Sequence, residues 1–278
     1  MALNIRRTDM ANLTFNYRSR VLGKETTFNV ILPEKIDAPE NGWKTLYLLH
    51  GWSDSYATWM NQTSIERYAL MRDIAVVMPD GEFSFYNDMA DGLRYFTFIT
   101  EELPEVCSKY FRCSTRREDV AIGGLSMGGL GALSLGLTRP DLYSGIICLS
   151  SANWPNNMFH EQYDSNRMPP QWLGAMKRIY GDIFPNLEGT EYDCYVKADR
   201  IVANGGPYPV LYHYCGLEET DLLRHSKVMK KKFMGYKGNP FNYTLSTYHG
   251  VHNWKAWDAV ICEAMDHIGF KEVDKVWP

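Results

Sequence analysis

The sequence predicts an α/β fold, a mainly parallel sheet covered by helices on both faces, and three observations carry that prediction. Short, continuously apolar runs recur along the chain, as at 45–49, 74–79 and 145–149, which marks strands buried on both faces. Helical patterns alternate with these runs, the order that a parallel sheet requires. Finally, Gly124-Leu125-Ser126-Met127-Gly128 lies where one apolar run gives way to a helical pattern, so a sharp strand-to-helix turn is written into the chain.

In chain order, strands are expected within 13–21 and at 27–33, the second ended by Pro33. The next, 45–49, is bounded by His50-Gly51. A helix at 64–71 leads to the strand 74–79. A longer helical pattern, 93–111, must be started or bent by Pro104, which lacks an N–H. The strands 120–123 and 145–149 flank a small-residue helix at 128–137. The last two, 209–214 and 241–247, are each followed by a helical stretch, which makes eight strands in all. Residues 152–207 are rich in Pro, Asn, Gly and aromatics and show no clear period. An excursion of that length is usually functional, so the expectation is one domain over 1–278 with a cap inserted at 152–207.

Composition excludes several function classes. The 278 residues carry 29 basic and 33 acidic side chains, a formal net charge of -4. The Lys230-Lys231-Lys232 run reads as the solvated face of a helix, so nucleic acid and anionic membranes are not expected partners. No apolar run approaches the roughly 20 residues of a membrane span. Residues 1–11 hold Arg6, Arg7 and Asp9 with no apolar stretch behind them, so a secretory signal is not read there and a cytoplasmic location is expected. Six cysteines without a C-x-x-C pair read as buried thiols, and no metal or other cofactor is expected. The 8 Trp, 18 Tyr and 12 Phe, 14% of the chain, exceed what a core needs. Trp59 and Trp257 suit the core, whereas Trp154 and Trp172, in the loop-rich insertion, are expected to form a substrate-facing wall.

The chemistry centres on Ser126. A Gly-x-Ser-x-Gly stretch between strand and helix holds its serine in a tight turn with the hydroxyl projecting over the sheet edge, and the flanking glycines leave room for the chain to double back. A phosphate-binding reading fails because no Gly-Lys-Ser/Thr follows. Serine needs a histidine base oriented by a carboxylate. His249 and His252 follow the last strand. His252, flanked by Gly250, Trp254 and Trp257, is the expected base, and His249 reads as a packed or hydrogen-bonded residue at the strand end. The acid is expected after the strand 209–214, where Glu218, Glu219 and Asp221 compete. Asp221 is the choice, Glu219 the next candidate, and Glu218 reads as a solvated loop residue. Oxyanion donors are expected from the main-chain N–H of Met127 at the helix start and of Trp52 in the loop after His50-Gly51. His50 itself reads as a structural hydrogen-bonding residue.

With these residues in place, the chain resembles the esterase D-like branch of the α/β-hydrolases, which includes tributyrin esterases, feruloyl esterases and S-formylglutathione hydrolases. The resemblance runs from the strand ending Val30-Ile31-Leu32-Pro33 to the helix after Trp257. It rests on Leu49-His50-Gly51 with Trp59, Asp80-Gly81 with Tyr86, Gly124-Leu125-Ser126-Met127-Gly128-Gly129, Cys215-Gly216, and Gly250-Val251-His252-Asn253-Trp254 with Trp257. It implies an α/β-hydrolase fold with Ser126 as nucleophile, His252 as base, and Trp52 and Met127 as oxyanion donors. The family sets its aspartate closer behind the Cys-Gly pair, where this chain has Glu219 or Thr220, so Asp221 requires a short insertion.

The implied activity is that of a serine carboxylesterase acting through an acyl-enzyme on small acetyl, short-chain or hydroxycinnamoyl esters, with acylated plant-polysaccharide fragments as one source of substrate. The alternative is a thioesterase of the S-formylglutathione hydrolase type. A non-catalytic scaffold is disfavoured because no triad member is missing. Homo-oligomerisation is left open.

Overall fold

The computed structural model describes residues 10–34, 38–153, 161, 163 and 168–273. Its centre is an eight-stranded sheet: β1 (Met10–Arg18), β2 (Glu25–Pro33), β3 (Thr45–Leu49), β4 (Ala75–Pro79), β5 (Val120–Leu125), β6 (Gly145–Leu149), β7 (Val210–Tyr214) and β8 (Thr244–Ser246). The spatial order is β1-β2-β4-β3-β5-β6-β7-β8. Only β2 runs against the rest: it pairs antiparallel with β1 and β4, and every other pairing is parallel. This is the expected mainly parallel sheet.

Among the described residues the helices include α1 (Thr58–Gln62), α2 (Ile65–Arg72), α3 (Tyr95–Thr97), α4 (Leu103–Phe111), α5 (Met127–Thr138), α6 (Pro170–Tyr180), α7 (Cys194–Ala203), α8 (Thr220–Met234) and α9 (Trp254–His267). Strand alternation divides the core in two. From β3, Tyr47 and Leu49 enter the layer formed with α4 to α8, while Leu46 and Leu48 enter the layer formed with α1, α2 and α9. Both faces being covered explains why β3, β4, β5 and β6 are buried at every position. Five cysteines are buried thiols and Cys262 is partly exposed. Among the described residues no helix is long and apolar enough to cross a membrane.

Departures from the expected boundaries have local causes. The first strand, expected within 13–21, spans 10–18, because the hairpin closes early: Ser19 N–H donates to Lys24 O, and Gly23 takes a φ of 67° that favours glycine. Pro104 sits in the first turn of α4, as expected of a helix start, but the helical path does not break there, since a π-helical turn, Phe98–Glu102, joins α3 to α4 just before it. Such a turn absorbs the hydrogen bond that proline cannot make. β8 is reduced to three residues because Asn239 and Asn242, both at positive φ, turn the chain ahead of it.

The described part of the segment between β6 and β7 holds more regular structure than its sequence shows. Its α7 buries Cys194, Lys197, Ala198 and Ile201, a helical spacing disguised by the lysine. Lys197 Nζ donates to Ser134 Oγ of α5 at 2.6 Å, so a buried cation ties this helix to the one that follows Ser126.

Candidate active site

Six chain segments converge beyond the carboxyl ends of the parallel strands, where open α/β sheets bind ligands. Ser126 follows β5, Ser150 follows β6, Cys215 to Glu219 follow β7, His252 lies beyond β8, His50 and Trp52 follow β3, and Gly81 follows β4.

Ser126 has φ 52° and ψ -119°, a conformation costly for a residue with a side chain, by about 1–3 kcal/mol. Its neighbours over-determine it. Its N–H donates to Leu149 O at 2.9 Å and its carbonyl accepts from Leu130 N–H at 3.1 Å. The two flanking glycines are required by contact rather than by φ. A Cβ on Gly124 would lie 2.4 Å from Gly128 O, and one on Gly128 would lie 2.5 Å from the carbonyl oxygens of both Leu49 and His50. The motif therefore reflects backbone passing over backbone.

His252 Nε2 lies 2.9 Å from Ser126 Oγ, and its Nδ1 lies 2.6 Å from Glu219 Oε1. Trp257 meets the imidazole edge-on, with centroids 5.0 Å apart and planes at 89°. The structure thus brings Glu219, the second of the expected acids, to His252 and leaves Asp221, the first choice, away from it. Asp221 is exposed in the first turn of α8, whereas the Glu219 side chain, immediately before that helix, is 4% exposed. Two residues of chain are the physical reason: once α8 begins, its first turn carries Asp221 outward. The Glu219 position also favours a carboxylate, because the helix N-terminus presents partial positive charge. Its other oxygen, Oε2, accepts from Gly216 N–H at 2.7 Å and Ser150 Oγ at 2.8 Å. Gly216 can carry no side chain, since a Cβ there would lie 2.2 Å from Gly250 O and 2.9 Å from Glu219 Oε2.

The neighbouring acid, Glu218, serves the adjacent histidine. It accepts from His249 Nδ1 at 2.7 Å and from Gly250 N–H at 2.6 Å, and these bonds hold its carboxyl below the usual carboxylate range. His249 is 89% exposed, so this pair braces the loop from outside.

Met127 opens α5 and supplies the first amide of that helix, a donor with no intrahelical acceptor by construction. Trp52 follows Gly51, whose Cβ, if present, would fall 3.7 Å from Ser126 Cβ, 2.7 Å from Leu125 Cδ1 and 3.0 Å from Asp54 Oδ2. The Trp52 main chain is thereby held next to the serine. His50 braces this loop. Gly81 N–H donates to its Nε2 at 2.9 Å, so Nδ1 carries the proton and donates to Gly51 O at 2.8 Å. Tyr86 Oη donates to His50 O at 3.0 Å from beneath. Asp54 had no signal in the sequence. Burial pushes its carboxyl up, against the pull of His50, the Gly51 amide and His252.

Trp172 of α6 stacks on Trp52, with centroids 4.5 Å apart and planes at 25°, and Trp52 also meets the exposed Phe83 at 4.7 Å and the buried Phe85 at 5.6 Å. Trp154 lies outside the described residues. Trp59 and Trp257 are buried, and Trp254 links them through edge contacts of 5.1 and 5.2 Å.

Known proteins share this organisation. The family model described as "Putative esterase" matches residues 19–268. An acetyl esterase of Caldicellulosiruptor saccharolyticus is 31% identical over 267 residues, covering 92% of this chain and 97% of that protein. The substrate-bound structure of the Staphylococcus aureus fluorophosphonate-binding serine hydrolase F is 29% identical with a TM-score of 0.79, covering 95% of this chain and all of that one. An S-formylglutathione hydrolase of Staphylococcus aureus is 31% identical with a TM-score of 0.75, over 92% of this chain and 98% of the other. A strained serine between two contact-enforced glycines, a family model spanning nearly the whole chain and relatives matched almost end to end lead to one conclusion: the chain belongs to this esterase family of the α/β-hydrolases and is a serine hydrolase.

Proposed function

We propose that the protein hydrolyses small acyl esters through an acyl-enzyme on Ser126, with His252 as general base and Glu219 as the acid that orients it. The hydrogen-bonded line from Ser126 Oγ through the two ring nitrogens of His252 to Glu219 Oε1 carries the reading. Ser126 Oγ attacks the acyl carbon as its proton passes to His252 Nε2, and the resulting imidazolium is stabilised by Glu219. The amides of Met127 and Trp52 face the developing oxyanion, a contribution worth about 100- to 1000-fold in turnover per donor. Collapse breaks the ester bond, and His252 returns its proton to the departing alkoxide. Water, deprotonated by the same nitrogen, then releases the acid and restores Ser126.

The stacked Trp52 and Trp172 support an acyl group that is small or flat, acetyl, short-chain or hydroxycinnamoyl. The acetyl esterase relative favours the smallest of these. A thioester substrate of the S-formylglutathione type is the second reading, favoured by the hydrolase of that name at 31% identity. Acylated polysaccharide fragments are a proposed source of the ester.

The decisive measurement is kcat/KM on p-nitrophenyl acetate, methyl ferulate and S-formylglutathione for the parent and for Ser126→Ala. The variant is expected to lose at least about 10000-fold on every substrate. Parental activity in Ser126→Ala overturns the reading, and the ranking of the three substrates selects the acyl class.

A further inference from the structure

Glu219 is held on the side away from His252 by a second line of hydrogen bonds. Trp257 Nε1–H donates to Ser150 Oγ at 2.8 Å, and Ser150 Oγ lies 2.8 Å from Glu219 Oε2. The indole nitrogen can only donate, so Ser150 Oγ must accept there. Its own proton is therefore aimed at the carboxylate. Ser150 is fully buried and Trp257 nearly so, which shields both bonds from bulk solvent.

Both residues are themselves fixed. Ser150 takes φ 45°, and its N–H donates to Tyr214 O at 2.7 Å. The next residue, Ser151, has its carbonyl tied to the buried His213 Nε2 at 2.6 Å. Trp257 belongs to α9 and sets its ring against the imidazole of His252. One side chain therefore touches the base directly and reaches the acid through a single hydroxyl.

We propose that Ser150 and Trp257 are positioning residues for the reaction, a relay that locks the Glu219 carboxylate in the one rotation that presents Oε1 to His252. The need for it follows from the residue type. Glutamate has one more rotatable bond than aspartate, and a carboxylate able to swing would leave Nδ1 unheld during proton transfer. Gly216 N–H and Ser150 Oγ–H together occupy Oε2, so rotation would break two bonds in a buried site. Neither residue contacts the substrate in this scheme, and the effect falls on turnover rather than on binding.

The proposal rests on the assignment of Glu219 and Ser126 above. Its test is a cycle of Ser150→Ala, Trp257→Phe and the double variant, with Ser126→Ala measured beside them. Phenylalanine keeps an aromatic ring beside His252 and removes the N–H together with part of the indole, whereas Ser150→Ala removes the hydroxyl alone. Each single variant is expected to lose about tenfold in kcat with KM within about twofold. The double variant should lose little more than either single, because residues acting in series are not additive. The downfield proton resonance of the His252 Nδ1–H to Glu219 bond should move in both singles. Parental kcat and an unmoved resonance in either single variant would overturn the relay, as would losses that multiply in the double. Activity surviving in Ser126→Ala would instead overturn the assignment of the nucleophile, so the two failures are distinguishable.

Discussion

Glu219 Oε1 and His252 Nδ1 are 2.6 Å apart, while Asp221, two residues further on, is exposed on the first turn of α8. The acid partner of the histidine is thus a glutamate at the last residue before a helix. Glu219→Gln, which preserves shape but not charge, is expected to reduce kcat by about 1000- to 10000-fold by favouring the wrong imidazole tautomer and leaving the imidazolium unpaired. Asp221→Asn should stay within about twofold of the parent. Steady-state kinetics on one ester decides between them, and the reverse pattern would restore Asp221.

Shortening the same side chain provides a finer test. Glu219→Asp cannot reach His252 while keeping the bonds to Ser150 and Gly216, because one methylene spans about 1.5 Å of that distance. A loss of about 10- to 100-fold in kcat is expected, with the chain still folded by circular dichroism.

Gly128 tests whether the glycines are there for space. Alanine would place a methyl 2.5 Å from the carbonyl oxygens of Leu49 and His50, neither of which can move without disturbing β3. Destabilisation of about 3 kcal/mol or more is expected in urea unfolding. Alanine at Gly23, where nothing lies within 4 Å, meets only the penalty of its positive φ and should cost about 1 kcal/mol.

Trp172 stacks on Trp52, which follows the Gly51 turn next to the serine, and is partly exposed. Trp172→Ala should alter the ratio of kcat/KM for hydroxycinnamoyl and acetyl esters by about tenfold or more, since differential transition-state contact sets specificity. An unchanged ratio together with a large fall in melting temperature would return Trp172 to a packing role.

His213 gives stability a pH dependence of known sign. It is fully buried, accepts from Tyr243 Oη at 2.8 Å, and burial lowers its pKa from 6.5 to about 4, against the opposing pull of Ser151 O and Glu219. Between those values the unfolded chain binds a proton that the folded chain refuses. The contribution is therefore intact above 6.5 and is lost as the pH falls toward 4, amounting to about 3 kcal/mol over the full window. Urea unfolding at about pH 7 and about pH 4.5 should show a smaller loss in His213→Gln than in the parent. Equal losses would remove His213 as the cause.

The local sequence determined what local physics controls. Buried strands announce themselves as continuous apolar runs because both faces of the sheet are covered, and this located the central strands to within a residue or two. The serine was legible because its turn needs small residues on both sides, a demand that any chain must answer in sequence. His252 was legible from its place after the last strand. The helix α7 was hidden by a buried lysine, which carries no apolar signal until Ser134 receives it. Tertiary structure alone decided which carboxylate serves the histidine. Three acids within four residues have the same chemistry, and they differ only in where the chain leaves the loop and enters α8. It also decided that Ser150, a serine at the end of an unrelated strand, lies 2.8 Å from Glu219, a distance set by the packing of β6 beside β7. Sequence spacing carries no record of such a contact, because it is made between segments that meet only when the sheet closes.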